Sequence, residues 1–309
     1  MSIIRKLASD TAIYGIPSIV GRFINFILIF FFAAYFTPEL LAPQVEFYAY
    51  AAFFFVVLPH GMETAFFNFS RERGQYKDVF ATAIFSVGVI ALMFTILMII
   101  KRNQIADFVG YSSHVSYVIW FVLILAIDTL KSIPYALLRY LNKSKKFALV
   151  KSLGILVNVG LNIFFIVYYP GISGNTRSIE YVFISNLIAS SMEFLILSSD
   201  IWCHFGTPNL SLWKRMINYA WPLIILGFAG MINETFDRIS MNKLLPKASA
   251  KYEIGVYGTF YRLSMVMTIF IQAFRYAAEP LFFDQADKKD AKQSYANIMA
   301  VSYTHLRAH

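Results

Sequence analysis

The chain has 309 residues, of which 58% are hydrophobic, 17% are aromatic and only 15% are charged. A soluble domain carries about 25% charged and about 45–50% apolar residues, so this composition favours a bilayer over water as the solvent. The net charge of +9 does not indicate nucleic-acid binding, because the Lys and Arg residues lie in short loops between apolar runs.

Eight apolar segments are long enough to cross a bilayer, which takes about 20 mainly apolar residues. In chain order they are residues 11–36, 44–69, 77–100, 115–140, 147–169, 179–203, 216–241 and 253–283. The first follows Arg5 and Lys6, as in a signal peptide, but it exceeds the roughly 7–15 apolar residues of such a peptide. We therefore interpret it as a retained span, and the predicted fold class is an all-α polytopic membrane protein.

The distribution of Lys and Arg between the loops predicts the orientation. If the N-terminus is cytoplasmic, the inside loops contain Arg5, Lys6, Arg71, Arg73, Lys77, Arg139, Lys143, Lys145, Lys146, Lys151, Lys214, Arg215, Lys288, Lys289 and Lys292. The outside loops then contain only Lys101, Arg102, Arg177, Lys243, Lys247 and Lys251. Because cytoplasmic loops carry an excess of Lys and Arg, we expect a cytoplasmic N-terminus. Each loop is too short to fold as a soluble domain, so any chemistry is expected within or at the edge of the membrane.

Three short sequence matches recur in the same order and indicate an internal duplication. They are YGIP at 14–17 with YAWP at 219–222, ETAFFN at 63–68 with EPLFFD at 279–284, and VFATA at 79–83 with YANIMA at 295–300. The repeated unit would be a lobe of six spans, with residues 1–203 forming the first lobe and residues 204–301 beginning the second. Because six is even, both copies would have the same orientation, a parallel repeat that is typical of transporters.

The C-terminal end departs from this repeat. A ninth span should continue from Tyr295, but the apolar character stops at Val301 and the chain ends with SYTHLRAH. Residues 302–309 resemble a translated sequencing-adaptor tail. We therefore interpret the chain as a C-terminally truncated fragment that contains one six-helix lobe, the first two helices of a second lobe, and a non-native tail.

A family resemblance is carried mainly by the fourth and fifth spans. Its elements are Tyr14-Gly15, Gly21-Arg22-Phe23, Glu63-Thr64-Ala65-Phe66-Phe67, Asp128, Ile133-Pro134, Leu138-Arg139, Phe147-Ala148, Lys151, Asn158 and Asn162. With these the chain resembles the Wzx-type polysaccharide and O-antigen flippases of the multidrug/oligosaccharidyl-lipid/polysaccharide exporter superfamily. The resemblance covers roughly residues 1–300. It departs from the family by stopping after eight spans, where the family has twelve or more.

The resemblance implies two six-helix lobes, alternating access to a central cavity, and a place in the bacterial cytoplasmic (inner) membrane. The implied cargo is an oligosaccharide linked to undecaprenyl pyrophosphate, which is used in surface polysaccharide or O-antigen (lipopolysaccharide) biosynthesis. The implied partners are this lipid-linked oligosaccharide and membrane lipids, with functional coupling to glycosyltransferases and a polymerase. No nucleic acid, cofactor or metal is implied.

Four residues are predicted to bind substrate: Arg22, Asn25, Arg262 and Arg275. Arg22 lies about eleven residues, roughly 17 Å, into the first span and has no carboxylate three or four residues away. It is either a cavity cation facing pyrophosphate, which the guanidinium fork binds bidentately, or the partner of a carboxylate on another helix. Asn25 lies one turn further on. Arg262 is expected either in the cavity or near the outer membrane interface. Arg275 has Glu279 at i+4, which favours an internal ion pair.

Four further residues are predicted to couple or gate transport: His60, Glu63, Asp128 and Lys131. Asp128 and Lys131 are three residues apart, so they form either a structural pair or a gate that opens when Asp128 is protonated. His60 lies between Pro59 and Gly61, which predict a kink. It could bind a proton or cation together with Glu63 at i+3, or it could be a hydrogen-bonded histidine at the kink.

A transporter is therefore predicted rather than an enzyme. The chain contains no HExxH, GxSxG, Walker A or GxGxxG motif, and the single Cys203 excludes an internal disulfide and a cysteine-based metal site. One alternative is a cation-coupled multidrug exporter of the same fold, which needs an acidic cavity that Arg22 argues against. The other is a membrane glycosyltransferase or polymerase, which needs catalytic residues on a sizeable outer loop.

Overall fold

The structure, a computed structural model, describes residues 23–24, 27–28, 30–73, 76–173, 178–246 and 248–261. All of these except Tyr261 belong to one compact unit, Met1–Phe260. The first and last predicted spans, residues 11–36 and 253–283, lie largely outside the described residues. So does the proposed tail, residues 302–309.

The described part of the chain is helical and contains no strand. The helices are α1 (Pro38–Val57), α2 (Met62–Arg73), α3 (Tyr76–Ile100), α4 (Arg102–Val109), α5 (Val115–Tyr140), α6 (Ser144–Ile163), α7 (Tyr169–Ser173), α8 (Glu180–His204) and α9 (Leu210–Leu244). A π-helical turn, Phe164–Tyr168, joins α6 to α7. Residues 30–35 and 250–261 are helical as well.

Six stretches of the described residues are long and apolar enough to cross a membrane. They are Pro38–Ser70, Tyr76–Ile100, Val115–Tyr140, Ser144–Ile172, Glu180–His204 and Leu210–Ile232. Each corresponds to one of the second to seventh spans that the sequence predicts. The prediction of an all-helical chain is confirmed for the described residues, whereas the total of eight spans and the parallel repeat stay predictions.

Local sequence determines where several helices begin and end. Gly110 ends α4 with φ +82°, and its N–H bonds to the carbonyls of Ala106 and Asp107, because glycine adopts this left-handed conformation without steric cost. Asn209 precedes α9, and its side chain accepts a hydrogen bond of 3.0 Å from the Leu212 N–H. Such a cap satisfies one of the free donors at a helix start.

The second predicted span is broken in its middle. α1 ends at Val57 and α2 begins at Met62, and both His60 (φ 37°) and Gly61 (φ 71°) have left-handed backbone conformations. The kink expected at Pro59 and Gly61 is therefore present as a short non-helical turn. A Cβ at Gly61 would lie 2.9 Å from the Ala220 Cβ, so the turn packs directly against α9.

Helix α5 is the centre of the bundle and packs against α2, α3, α6 and α8. Its buried side chains, such as Val118, Leu125 and Leu137, have less than 1% of their surface exposed. It runs parallel to α8, because Ser116 bonds to Glu180 near the start of both helices and Lys131 bonds to Glu193 further along. Polar residues at matching depths on α5 and α8 are therefore brought together.

Candidate functional site

A charged cluster lies between α5 and α8, with Lys131 at its centre. The Lys131 Nζ is 2.7 Å from Asp128 Oδ1 and 2.7 Å from Glu193 Oε2. It also donates to Ser190 Oγ at 3.1 Å, and Ser190 in turn donates to Asp128 Oδ1 at 2.7 Å. The three charged side chains are largely buried, with exposed fractions of 7% for Lys131, 22% for Asp128 and 9% for Glu193. The predicted pairing of Asp128 with Lys131 is thus present, with a second carboxylate added.

Two further side chains complete the cluster around Glu193. The Tyr135 hydroxyl donates to Glu193 Oε2 at 3.0 Å. The Lys151 Nζ lies 3.9 Å from the same oxygen and 4.3 Å from the centre of the Tyr135 ring. The cluster therefore holds two carboxylates and two ammonium groups, so its formal charges balance.

The cluster lies half-way along α5, one of the helices long enough to cross a membrane, and this position corresponds to mid-membrane depth if α5 spans the bilayer. Asp128 is thirteen residues into the 26-residue helix α5, about 20 Å from its start at 1.5 Å per residue. A single charge at this depth costs roughly 2.5–3.5 kcal/mol on insertion scales, so unpaired charges there are rare. Mutual pairing explains how four ionisable side chains are accommodated in this position.

Sequence spacing on three helices builds the cluster. Asp128 with Lys131, and Ser190 with Glu193, are each three residues apart, so each pair shares one helical face. On α6, a Cβ at Gly154 would lie 2.6 Å from the Glu193 carboxyl carbon. The glycine therefore makes room for the Glu193 side chain between α6 and α8.

Asp128 also opens onto a small cleft between α1, α5 and α8. The cleft has a volume of about 90 Å³ and is lined by Tyr48, Ala51, Phe55, Phe121, Ile124, Leu125, Asp128 and Phe183. Asp128 is the one acidic side chain in this lining, and the Tyr48 hydroxyl accepts a hydrogen bond from the Asn186 amide. Since water occupies about 30 Å³ per molecule in the liquid, a few waters or one small ion could reach Asp128.

Of the two readings that the sequence leaves for His60, the structure matches the hydrogen-bonded histidine at the kink. His60 Nδ1 lies 2.8 Å from the Leu58 carbonyl oxygen, and Nε2 lies 2.8 Å from Ser86 Oγ. Because a carbonyl only accepts, Nδ1 carries a proton and donates to Leu58. Ser86 also accepts a hydrogen bond of 2.8 Å from Trp213 Nε1. His60 is thus a fully bonded histidine at the turn.

Glu63 instead pairs with Arg139 of α5, with 2.5 Å between Glu63 Oε1 and Arg139 Nη2. Both side chains are more than one-third exposed, and the guanidinium lies 5.2 Å from the centre of the Phe67 ring. The pair joins α2 to the last turn of α5. His60 therefore bonds to α3 and Glu63 to α5, as expected for a hydrogen-bonded histidine at the kink, and a shared proton or cation site stays a prediction.

The four predicted substrate-binding residues, Arg22, Asn25, Arg262 and Arg275, lie outside the described residues. Their proposed contacts with a pyrophosphate group stay predictions. Within the described part of the chain, no group of three His, Cys, Asp or Glu side chains is arranged to hold a metal ion.

The described helices are long and apolar enough to cross a membrane, and the opposite charges in the cluster half-way along them balance. These are the features of a multi-pass membrane protein. No protein-family model, curated protein or solved structure matches the chain. The particular function is therefore argued from the residues themselves.

Proposed function

We propose that the protein is a flippase that moves a lipid-linked oligosaccharide across the bacterial cytoplasmic membrane by alternating access. Its cargo would be linked to undecaprenyl pyrophosphate and used for surface polysaccharide or O-antigen synthesis, alongside glycosyltransferases and a polymerase. Cationic side chains, with Arg22 first and Arg262 second, would hold the pyrophosphate while the prenyl tail stays in lipid. Asn25 and Arg275 would lie near them, and the N-terminus would be cytoplasmic.

The observation that carries this proposal is the neutral cluster at mid-membrane depth. Intramembrane ionisable residues are expensive and usually belong to ion or substrate pathways. Asp128 faces a cleft that water can enter, so it can gain a proton or another cation without unfolding of the helices. Neutralising Asp128 would leave Lys131 and Lys151 with only Glu193 as a counter-charge. The excess positive charge would weaken the contacts between Lys131 of α5 and its partners on α8, so ion binding would change how these two helices pack.

The cleft size favours an ion over a drug as the ligand of Asp128. Drug-binding pockets typically have volumes of about 300–1,000 Å³, several times the 90 Å³ or so of this cleft. A multidrug exporter would need a larger acidic cavity. A glycosyltransferase or polymerase would need catalytic side chains outside the membrane, whereas the charged cluster is buried at mid-depth.

Replacing Asp128 by Asn tests the coupling role. Asn keeps a side-chain oxygen for Ser190 and Lys131 but cannot exchange a proton at neutral pH, so export of surface polysaccharide should be lost while protein abundance stays near normal. The measurement is surface polysaccharide in a strain that depends on this protein. Glu180→Gln is the matched control, because Glu180 accepts a 2.5 Å hydrogen bond from Ser116 at a helix end, and export should persist. Normal export by Asp128→Asn would contradict the assignment.

Replacing Arg22 tests the substrate site. Arg22→Ala should abolish surface polysaccharide at near-normal protein abundance, because a pyrophosphate in the membrane would lose its cation. Arg22→Lys should recover only part of the activity, since a point charge replaces a bidentate fork. Arg275→Ala should act mainly through lower protein abundance. Normal export by Arg22→Ala would mean that this arginine has a structural role instead.

A further inference from the structure

Another buried carboxylate, Glu46 of α1, lies far from the mid-membrane cluster. Its side chain is 1% exposed, and its Oε1 lies 2.9 Å from the Lys251 Nζ. The Asn242 amide donates to Glu46 Oε2 at 2.9 Å. Asn242 belongs to the last turn of α9 and Lys251 to the helical segment 250–261. One carboxylate therefore binds both segments that flank the loop after α9.

The turn after α4 closes this junction from a third direction. The Val109 carbonyl accepts hydrogen bonds from Asn242 at 3.0 Å and from Lys251 at 3.3 Å. The Lys251 Nζ also lies 3.7 Å from the centre of the Tyr111 ring. Burial, together with the negative charge of Glu46, raises the pKa of the Tyr111 hydroxyl, so this neighbour stays neutral. Glu46 and Lys251 are therefore the charged pair at the centre of the junction.

Close backbone packing surrounds the ion pair. A Cβ at Gly255 would lie 2.9 Å from the Pro38 Cα, and one at Gly258 would lie 3.0 Å from the Val45 Cβ. Ala42, one turn before Glu46, is completely buried in a small cluster with Val45 and Ile254. This packing keeps the Glu46 carboxylate away from water, whereas the Lys251 side chain stays 27% exposed at the edge of the junction.

The junction lies near one surface of the membrane. The span Pro38–Ser70 has 33 residues, and its first helix alone, the 20-residue α1, is about 30 Å long, against a hydrocarbon core of about 30 Å. Glu46 lies eight residues, about 12 Å, from Pro38, close to where the hydrocarbon begins. If the junction opens there, water from the membrane surface can hydrate the separated charges of Glu46 and Lys251.

We propose that Glu46, Asn242 and Lys251 form a gate that closes the end of the bundle where α1 begins. With the orientation predicted from the Lys and Arg distribution, this is the outer end. The structure holds the closed state, and opening separates segment 250–261 from α1. The gate rests on the proposed function, in which α9 and segment 250–261 begin the second lobe and move relative to the first.

The gate is tested by the reactivity of a cysteine in the junction. In the full chain, Cys203→Ser removes the one native thiol and Ala42→Cys introduces another beside Glu46. Intact cells are treated with a membrane-impermeant maleimide, and labelling is normalised to protein amount. We expect slow labelling with the gate intact and labelling about tenfold faster with Lys251→Met, because the buried Glu46 loses its counter-charge.

Lys243→Met is the matched control. Lys243 is nearby and cationic, but its Nζ donates to the Phe108 carbonyl at 2.7 Å and lies over the Phe108 ring, without contact to a carboxylate. Its replacement should leave the labelling rate unchanged. An unchanged rate in Lys251→Met, an equal rise in Lys243→Met, or labelling only from the cytoplasmic side would overturn the proposal.

A double variant, Glu46→Leu with Lys251→Met, separates loss of the ion pair from loss of packing. Apolar side chains of similar size can replace a buried ion pair without loss of stability, so this junction should stay closed. Labelling should then be as slow as with the native pair, and a rise like that of Lys251→Met would overturn the proposal. If labelling follows these expectations while deletion of the protein leaves surface polysaccharide unchanged, the gate is supported and the flippase function is contradicted.

Discussion

Replacing Lys131 by Met is expected to destabilise the protein by roughly 3–5 kcal/mol, because two buried carboxylates lose their shared counter-ion. Asp128 and Glu193 each lie 2.7 Å from the Lys131 Nζ, and Ser190 and Tyr135 supply only neutral hydrogen bonds in its place. The free energy of unfolding can be measured by titration with sodium dodecyl sulfate in mixed micelles. Abundance in the membrane should fall in parallel.

Lys151→Met is the matched control for this prediction. The Lys151 side chain is 40% exposed and its Nζ is 3.9 Å from Glu193, so its loss should cost about 1 kcal/mol or less. A triple variant, Lys131→Met with Asp128→Asn and Glu193→Gln, removes the charges together and should recover most of the lost stability. Equal losses for Lys131→Met and Lys151→Met would contradict the central position of Lys131.

The spans were the feature most readily predicted from sequence. Long apolar runs bounded by charged loops identify membrane helices without knowledge of their neighbours, and the second to seventh predicted spans all correspond to helices of sufficient length. Interruptions within a span are harder to predict. The residues Pro59, His60 and Gly61 indicate a kink, but they do not specify the left-handed backbone at His60 or the bonds of its ring to Leu58 and Ser86.

The interruption also explains why His60 and Glu63 do not bond to each other. Residues three apart share a face only within a continuous helix, and α2 begins at Met62, after His60. The backbone between them turns, so Glu63 is directed to Arg139 of α5 while His60 bonds to Ser86 of α3. A spacing rule that assumes one helix cannot predict either partner.

Only the Asp128–Lys131 half of the mid-membrane cluster could be predicted, because the other half comes from a different helix. Asp128 and Lys131 lie on one helix at a spacing that brings them together, so the pair could be inferred from α5 alone. Glu193 comes from α8 and requires the parallel register of two helices separated by about 60 residues, which spacing does not specify. A signal was present nonetheless, because Ser190 and Glu193 repeat the i,i+3 spacing of polar residues within another apolar span.

Glu46 was missed because its partners are still further away in sequence. Lys251 follows Glu46 by 205 residues, and Asn242 follows it by 196. Near a span end, a lone glutamate is adequately explained by access to water, so sequence alone gives no reason to expect a buried carboxylate. The tight packing of Gly255 and Gly258 against α1 brings Lys251 to it.

Replacing Gly154 by Ala is expected to destabilise the protein by about 1–3 kcal/mol, as other overpacked sites do. The new Cβ would lie 2.6 Å from the carboxyl carbon of Glu193 and 2.8 Å from its Cγ. A free glutamate could rotate away, but this carboxylate is bound by Lys131 and Tyr135, so its displacement breaks both contacts. The loss should appear in the same micellar unfolding titration.

Gly160→Ala is the matched control on the same helix. No atom lies within 4 Å of the position that an added Cβ would occupy at Gly160, so this variant should be neutral or stabilising by about 0.5–1 kcal/mol. Equal stability of the two alanine variants would mean that α6 does not hold Glu193 in place.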